Sequence, residues 1–172
     1  MDIRSKIRDI KDFPKAGINF LDITPLLLDS ELFGHTIDKL SEQLKDVEFD
    51  IVVSSEARGF ILGVPVAYAL KKGFVPVRKK GKLPGDTISV QYDLEYGQDI
   101  LEMSADAIKP GQRVVIIDDI LATGGTVAAN IELIEKLGGE VVKILFLMEL
   151  EFLHGREKLA NYDVFSLLQT EK

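Results

Sequence analysis

Residues 114–126, VVIIDDILATGGT, constrain the fold more than any other stretch of the chain. Val114 to Ile117 form an unbroken apolar, β-branched run, the signature of a strand covered on both faces, as in a parallel sheet flanked by helices. Asp118 and Asp119 then fall at the carboxyl end of that strand, where open α/β sheets bind their ligands. Ala122, Thr123, Gly124, Gly125 and Thr126 follow, immediately before a helix. Such small residues let successive backbone N–H groups converge on an anion at the positive helix end. Neither GxxxxGK[ST] nor GxGxxG occurs, so the cradle is neither a Walker loop nor a dinucleotide fingerprint. Adjacent acids beside an anion cradle suit a ligand carrying both sugar hydroxyls and a phosphate. An acidic strand end followed by a capped helix stays open as the plainer alternative.

The same grammar recurs along the chain. Apolar residues at Leu32, Phe33, Ile37, Leu40, Leu44 and Val47 predict a helix over 31–47, with Asp29 or Ser30 as its N-cap. Strands are expected at Ile51 to Val53, Phe74 to Val77, Arg113 to Ile117, Val141 to Met148 and Val164 to Leu168. Helices are expected over Phe60 to Leu70 and Gly125 to Leu137, the latter closed by Gly138 and Gly139. This alternation argues a mainly parallel sheet with helices on its faces. Residues 78–103 break the pattern, with Gly81, Pro84, Gly85 and Gly97 scattered among charges and two short alternating segments, 88–94 and 100–103. They read as an excursion from the core, either a lid or binding loop or an exposed hairpin without a role. Its start crowds Arg78, Lys79, Lys80 and Lys82 together, which fits a solvated loop as well as a polyanion site.

A length of 172 residues, 46% hydrophobic, fits one domain over 1–172 with a sizeable core. The net charge of −7 speaks against a broad nucleic-acid footprint. The sequence has no Cys, so neither a disulfide framework nor a zinc knuckle is expected. Apolar runs such as Ile144 to Leu147 are far shorter than a membrane span requires. Asp2, Arg4, Lys6 and Arg8 make the N-terminus unlike a secretory signal, and a cytoplasmic location is the default expectation.

Residues 114–126 resemble the phosphoribosyl pyrophosphate motif of type I phosphoribosyltransferases. DFPKAGINFLDITPLL (12–27), EARGF (56–60), VRKKGKLPG (77–85), LEYG (94–97) and FLHGREKL (152–159) are, in order, similar to adenine phosphoribosyltransferases. The resemblance implies the type I phosphoribosyltransferase fold, with an N-terminal hood over about 1–30 and a flexible loop over about 78–103. It implies conversion of adenine and 5-phosphoribosyl 1-pyrophosphate (PRPP) to AMP and pyrophosphate, aided by Mg2+, in a homodimer.

Residue by residue, the resemblance implies that Asp118 and Asp119 bind the ribose hydroxyls, directly or through magnesium and water, and are not assigned as direct metal ligands. Ala122, Thr123, Gly124, Gly125 and Thr126 would hold the 5-phosphate. Glu56, Ala57, Arg58 and Gly59 would receive pyrophosphate, with Arg78, Lys79 and Lys82 as the basic edge of the flexible loop. Phe20 would stack on adenine against Ile120, while backbone groups of Asn19 and Leu21 read the purine edge. Glu95 would sit by the imidazole side of the purine as the proton-adjusting carboxylate, with Tyr96 over the closed site. Without the resemblance, Phe20 reads as core packing and Glu95 as a surface residue. Lys11 and Ala16 stand where Pro is common in the family, and Leu21 stands where Arg is common, which touches the base pocket. Other purine bases, or a PRPP sensor without turnover, are the competing expectations.

Overall fold

The computed structural model describes residues 1–93 and 97–170; Glu95 and Tyr96 lie outside the described residues. Side chains that point alternately to the two faces of the central strands set the architecture, because each strand, buried along most of its length, feeds two cores. On β7 (Arg113–Leu121), Val115 and Ile117 join one core and Val114 and Ile116 the other. The same split holds on β3 (Ile51–Ser55), where Val52 faces one way and Ile51 and Val53 the other. It holds again on β8 (Glu140–Leu150), with Leu145 and Leu147 opposite Ile144 and Phe146. α2 (Ser30–Glu42) and α3 (Arg58–Leu70) cover the first face through Leu40, Leu62 and Val66, and α4 (Gly125–Lys136) covers the second through Leu133 and Ile134.

With β4 (Gly73–Lys79), β5 (Thr87–Asp93), β6 (Gln98–Ser104) and β9 (Val164–Thr170), the sheet has seven strands in the order β5-β6-β4-β3-β7-β8-β9. The run from β4 through β3, β7 and β8 to β9 is parallel; β6 pairs antiparallel with both β4 and β5. Chain direction places the site: β3 steps through α3 to β4 on one side, while β7 steps through α4 to β8 on the other. The helices therefore lie on opposite faces, and a crevice opens between the carboxyl ends of β3 and β7.

Before this sheet, β1 (Arg8–Ile10) and β2 (Phe20–Asp22) pair antiparallel as a separate two-stranded sheet, followed by the short helix α1 (Thr24–Leu28). Leu21 is buried while its neighbours Phe20 and Asp22 are half-buried, so its side chain belongs to the core with Ile23 and Leu26. No helix among the described residues is long and apolar enough to cross a membrane.

Two sequence expectations are corrected. Within 78–103, Arg78 and Lys79 end β4, and the two alternating segments expected there form the hairpin β5-β6, paired along the edge of the main sheet. Strand β7 does not stop at Ile117 but runs through both aspartates, because its pairing with β8 continues at Asp118 with Phe146 and Ile120 with Met148. The helix predicted over 31–47 ends at Glu42, although Leu44 and Val47 still pack on the core from the turn that follows. Its cap is Asp29, whose Oδ1 accepts from the Leu32 amide at 3.0 Å.

Candidate active site

A cavity of about 370 Å³ opens at the switch point, its floor formed by the ends of β3 and β7. It brings together Asn19, Phe20 and Leu21 from the hood, Glu56 to Gly59 after β3, and Asp118 to Thr126 from β7 into α4. Hood, turn and loop, expected from three distant parts of the sequence, thus face one space. Arg78, Lys79 and Lys82 do not line it, but reach its rim through Glu56.

The turn 56–59 is shaped by close packing. A Cβ at Gly59 would lie 2.8 Å from Asp118 Oδ1, so only glycine lets α3 begin this near the acids. The Glu56–Ala57 peptide bond is cis. The Glu56 carboxylate accepts from the Lys79 amide at 2.7 Å, from Lys82 Nζ at 2.6 Å and from Arg78 Nε at 3.3 Å. Burial pushes Glu56 upward, but the Lys82 and Lys79 hydrogen bonds and the charges of Lys82 and Arg78 outweigh it and hold the carboxyl below its ordinary value. The basic edge is therefore gathered on its own chain's turn, beside the entrance to the cavity.

Below that turn, Ser55 and Asn130 form a fully buried pair. Asn130 Nδ2 donates to Ser55 Oγ at 2.8 Å, and Ser55 Oγ lies 3.0 Å from Asn130 Oδ1. The contact ties the end of β3 to the second turn of α4 across the crevice floor. Ser55 lines the cavity, a position that its apolar strand and polar side chain alone did not single out.

Arg58 sits at the centre of the site. Its Nη1 donates to the Leu21 carbonyl at 2.7 Å, its Nε is 2.7 Å from Asp119 Oδ2, and its Cζ is 4.9 Å from the centroid of the Phe20 ring. The Asp119 contact is an ion pair without hydrogen-bond alignment, since Asp119 Oδ2 is buried with no aligned hydrogen bond. Arg58 thus joins the hood to the acids, a role that its position in the EARGF turn did not indicate. Phe20 also meets Phe13 edge-on, with ring centroids 5.2 Å apart. Leu21 offers the cavity its backbone while its side chain packs in the core, which explains how Leu can stand where Arg is common.

Asp118 and Asp119 are 8% and 7% exposed. Asp118 Oδ1 accepts from the Asp119 amide at 2.8 Å. Burial first, and then the neighbouring Asp119 charge, push the Asp118 carboxyl well above the ordinary carboxylate range. The unfolded chain releases this proton at the ordinary value and the folded chain only at a higher pH. Between the two, the folded state binds more protons, so wild-type stability falls as pH rises through that window and stays reduced above it. Asp118→Asn should therefore raise the Tm of the unliganded protein at neutral pH, by about 2–4 °C per kcal/mol relieved. The gain should fade as pH drops toward the ordinary carboxylate value. Thermal melts across pH check this, and an unchanged Tm at neutral pH would refute it.

The loop 122–126 turns sharply into the N-terminus of α4. Gly124 takes φ +88°, a left-handed conformation that other residues adopt with strain, and leads directly into α4. Tyr92 Cδ2 and the Asp93 carbonyl lie 3.9 Å from where a Gly125 Cβ would be, so the end of β5 approaches the loop. Among the described residues no group of three or more His, Cys, Asp or Glu side chains could hold a metal by itself. The buried Asp119 Oδ2 has no aligned hydrogen bond but already lies 2.7 Å from Arg58 Nε, so the paired acids fit a hydrated divalent cation better than one bound to them directly.

The family model described as "Phosphoribosyl transferase domain" matches residues 26–171. The adenine phosphoribosyltransferase of Clostridium tetani is 63% identical over 169 residues, 98% of each chain. That of Acetivibrio thermocellus is 60% identical over 170 residues, 98% of this chain and 99% of its own. The crystal structure of the Thermoanaerobacter pseudethanolicus adenine phosphoribosyltransferase superposes with a TM-score of 0.96 at 55% identity, covering 98% of both chains. The Saccharomyces cerevisiae enzyme, crystallised with adenine and an imino-altritol bisphosphate, superposes with a TM-score of 0.90 at 44% identity over 96% of this chain. A sheet split into two cores, a switch-point crevice lined by paired acids and a glycine cradle, and this similarity over nearly the full length lead to one assignment: the chain belongs to the adenine phosphoribosyltransferase family.

Proposed function

We propose that this protein is the purine-salvage enzyme that transfers the 5-phosphoribosyl group of PRPP to N9 of adenine, forming AMP and pyrophosphate. The observation that carries the reading is a single cavity holding the hood with Phe20, the turn after β3 and the acid-and-cradle segment of β7. In this reading the 5-phosphate rests on the N–H groups of 122–126, and Asp118 and Asp119 accept from the ribose hydroxyls. The diphosphate lies over Glu56 to Gly59, with Arg78, Lys79 and Lys82 at its outer edge. Adenine enters between Phe20 and Ile120, read by backbone groups of Asn19 and Leu21.

Cleavage of the bond to pyrophosphate leaves an oxocarbenium-like sugar beside a multiply charged leaving group. The chain must therefore place negative charge near the ribose and positive charge beyond it. Asp118 and Asp119 stand on the ribose side, and Arg58 and the cluster at Glu56 stand on the diphosphate side. A divalent cation, most simply Mg2+, supplies further neutralisation of the diphosphate when bound, held through water by Asp118 and Asp119. As N9 attacks, the base loses a proton overall, and Glu95 is the carboxylate assigned to adjust protonation at N7, with Tyr96 covering the closed site. The β5-β6 hairpin is placed to exclude water, which would otherwise hydrolyse the activated sugar.

The reading carries with it a cytoplasmic homodimer. Ile61, Val64 and Tyr68, at i, i+3 and i+7 on α3, are 36%, 46% and 85% exposed, an apolar stripe suited to a second copy. Val64→Glu should convert the dimer to a monomer in light scattering while leaving the fold intact; an unchanged mass would move the interface elsewhere. The reaction itself is tested by mixing the protein with PRPP, Mg2+ and each purine base separately, then following nucleotide formation by chromatography. AMP from adenine alone is expected. IMP or GMP would change the base, and PRPP binding without turnover would replace the enzyme by a sensor.

A further inference from the structure

The chain leaving β8 forms the underside of the phosphate loop without lining the cavity beyond Leu150. Gly155 is buried in the short 3-10 segment Gly155–Leu159, backbone against backbone with 122–126. A Cβ on Gly155 would overlap the Ala122 carbonyl oxygen and lie 3.0 Å from Leu121 Cδ1 and 3.1 Å from the Thr123 carbonyl carbon. Reciprocally, a Cβ on Gly124 would lie 2.8 Å from the Gly155 carbonyl oxygen. Two glycines thus let the segment seat directly beneath the loop, and the height of one fixes the height of the other.

The neighbouring Arg156 holds that segment in place. Its Nη2 and Nε donate to Glu149 Oε1 and Oε2 at 2.6 and 3.1 Å, and its Nη1 donates to the Val164 carbonyl at 2.9 Å. Ser166 Oγ adds a third donor to Glu149 Oε1 at 2.9 Å. Glu149 is 5% exposed and sits in β8 opposite Leu121 of β7 and Gln169 of β9. The fork of Arg156 therefore fastens the segment to the carboxyl ends of β8 and β9, beside the strand that carries the phosphate loop. Leu159, fully buried, anchors its far end.

We propose that Arg156 is a positioning residue for the 5-phosphate, acting through the Gly155 backbone on the loop 122–126. The proposal rests on the reading that this loop takes the 5-phosphate. Arg156 touches no substrate; it sets where the cradle's N–H groups point, and small displacements of such groups cost binding steeply. Lys at this position keeps the charge but loses the fork that grips both carboxylate oxygens and the Val164 carbonyl together.

The test measures ribose 5-phosphate and pyrophosphate binding separately by calorimetry, with KM and kcat, in wild type, Arg156→Lys and Gly155→Ala, each shown to fold by its melting transition. Arg156→Lys should weaken ribose 5-phosphate binding and raise the KM for PRPP by roughly 10- to 100-fold. Its pyrophosphate affinity and its KM for adenine should stay close to wild type, because in this reading the diphosphate and the base lie over the turn after β3 and the hood, not over the loop that Gly155 supports. Gly155→Ala, which pushes on the loop directly, should show the same split. Unchanged ribose 5-phosphate binding in a folded variant overturns the proposal, as does an equal loss for both ligands, which marks general loosening. Failure of the wild type itself to bind ribose 5-phosphate overturns instead the assignment of the loop.

Discussion

Arg58→Gln should lower kcat/KM by about 100-fold, with KM rising for both adenine and PRPP. The guanidinium holds the Leu21 carbonyl, pairs with Asp119 and lies over the Phe20 ring, so in the proposed reading it bears on both the base and the phosphoribosyl side of the site. Hydrogen bonds involving a charged group contribute about 1.5–3 kcal/mol each, and loss of about 3 kcal/mol in the transition state corresponds to roughly two orders of magnitude. The side chain is 35% exposed, so screening argues against a larger figure. Gln ends where the Arg Nε stands, so it can place an amide N–H beside Asp119 but brings no charge there and falls short of the Leu21 carbonyl. Arg58→Lys should recover little, since an ammonium cannot span the carbonyl and the carboxylate in one plane. Steady-state kinetics with each substrate varied in turn decide the matter. A rise in KM for PRPP alone would confine Arg58 to the diphosphate and remove its link to the hood.

A large loss of stability is expected at Gly63, in the middle of α3. A Cβ there would overlap Ser54 Oγ and lie 3.0 Å from Phe74 Cε2, with a fully buried strand behind it that has no room to retreat. Overpacking of this kind costs about 1–3 kcal/mol. In a chain of this length each kcal/mol corresponds to about 2–4 °C, so Gly63→Ala should lower Tm by several degrees. Ser54 Oγ is itself buried without a hydrogen-bond partner. Removing it should relieve the clash, and the double variant Gly63→Ala with Ser54→Ala should regain much of the loss. Additive losses in that cycle would show that Phe74, not Ser54, limits the approach of α3 to β3.

Much of this arrangement is legible in the sequence because its causes are local. β3, β4, β7, β8 and β9 are apolar runs, α3 and α4 carry helical periodicity, and the loop 122–126 is a contiguous string of small residues. What escaped depends on distant partners. β1 and β2 are three residues each, and Phe20–Leu21–Asp22 has no strand pattern until it pairs with Arg8 to Ile10. The alternation of β5 and β6 can be read, but not their place in the main sheet, which rests on Arg78 opposite Glu102 and Lys79 opposite Leu101. Two aspartates ordinarily end a strand, yet β7 continues because β8 runs beside it. Leu44 and Val47 extend the helical pattern past the end of α2 because a turn can bury the same residues. In the site, the three segments that meet at the cavity are the ones expected to do so, while Ser55, Leu121, Val127 and Leu150 line it without having been singled out. The Arg58 bridge, the Ser55–Asn130 pair and the Gly155 underside are tertiary contacts that no local pattern records.

The pairing of β3 with β7 acts as a ruler. Ile51 stands opposite Val114, Val52 opposite Val115 and Val53 opposite Ile116, so the strands run about 4.8 Å apart in a fixed register, and β7, which ends at Leu121, carries its loop beyond the level at which β3 ends at Ser55. In the proposed reading, the distance between the turn and the loop that take the anions is therefore set by strand register and not by loop length. Hood residues can change, and with them the base that is read, without disturbing that calibration. A donor with a longer or shorter span between its phosphates would demand a shift of register, and a shift by one residue turns every buried side chain of a strand to the opposite face. Variation among enzymes built on this scale should accumulate in what the sugar is joined to, while the sugar phosphate itself stays fixed.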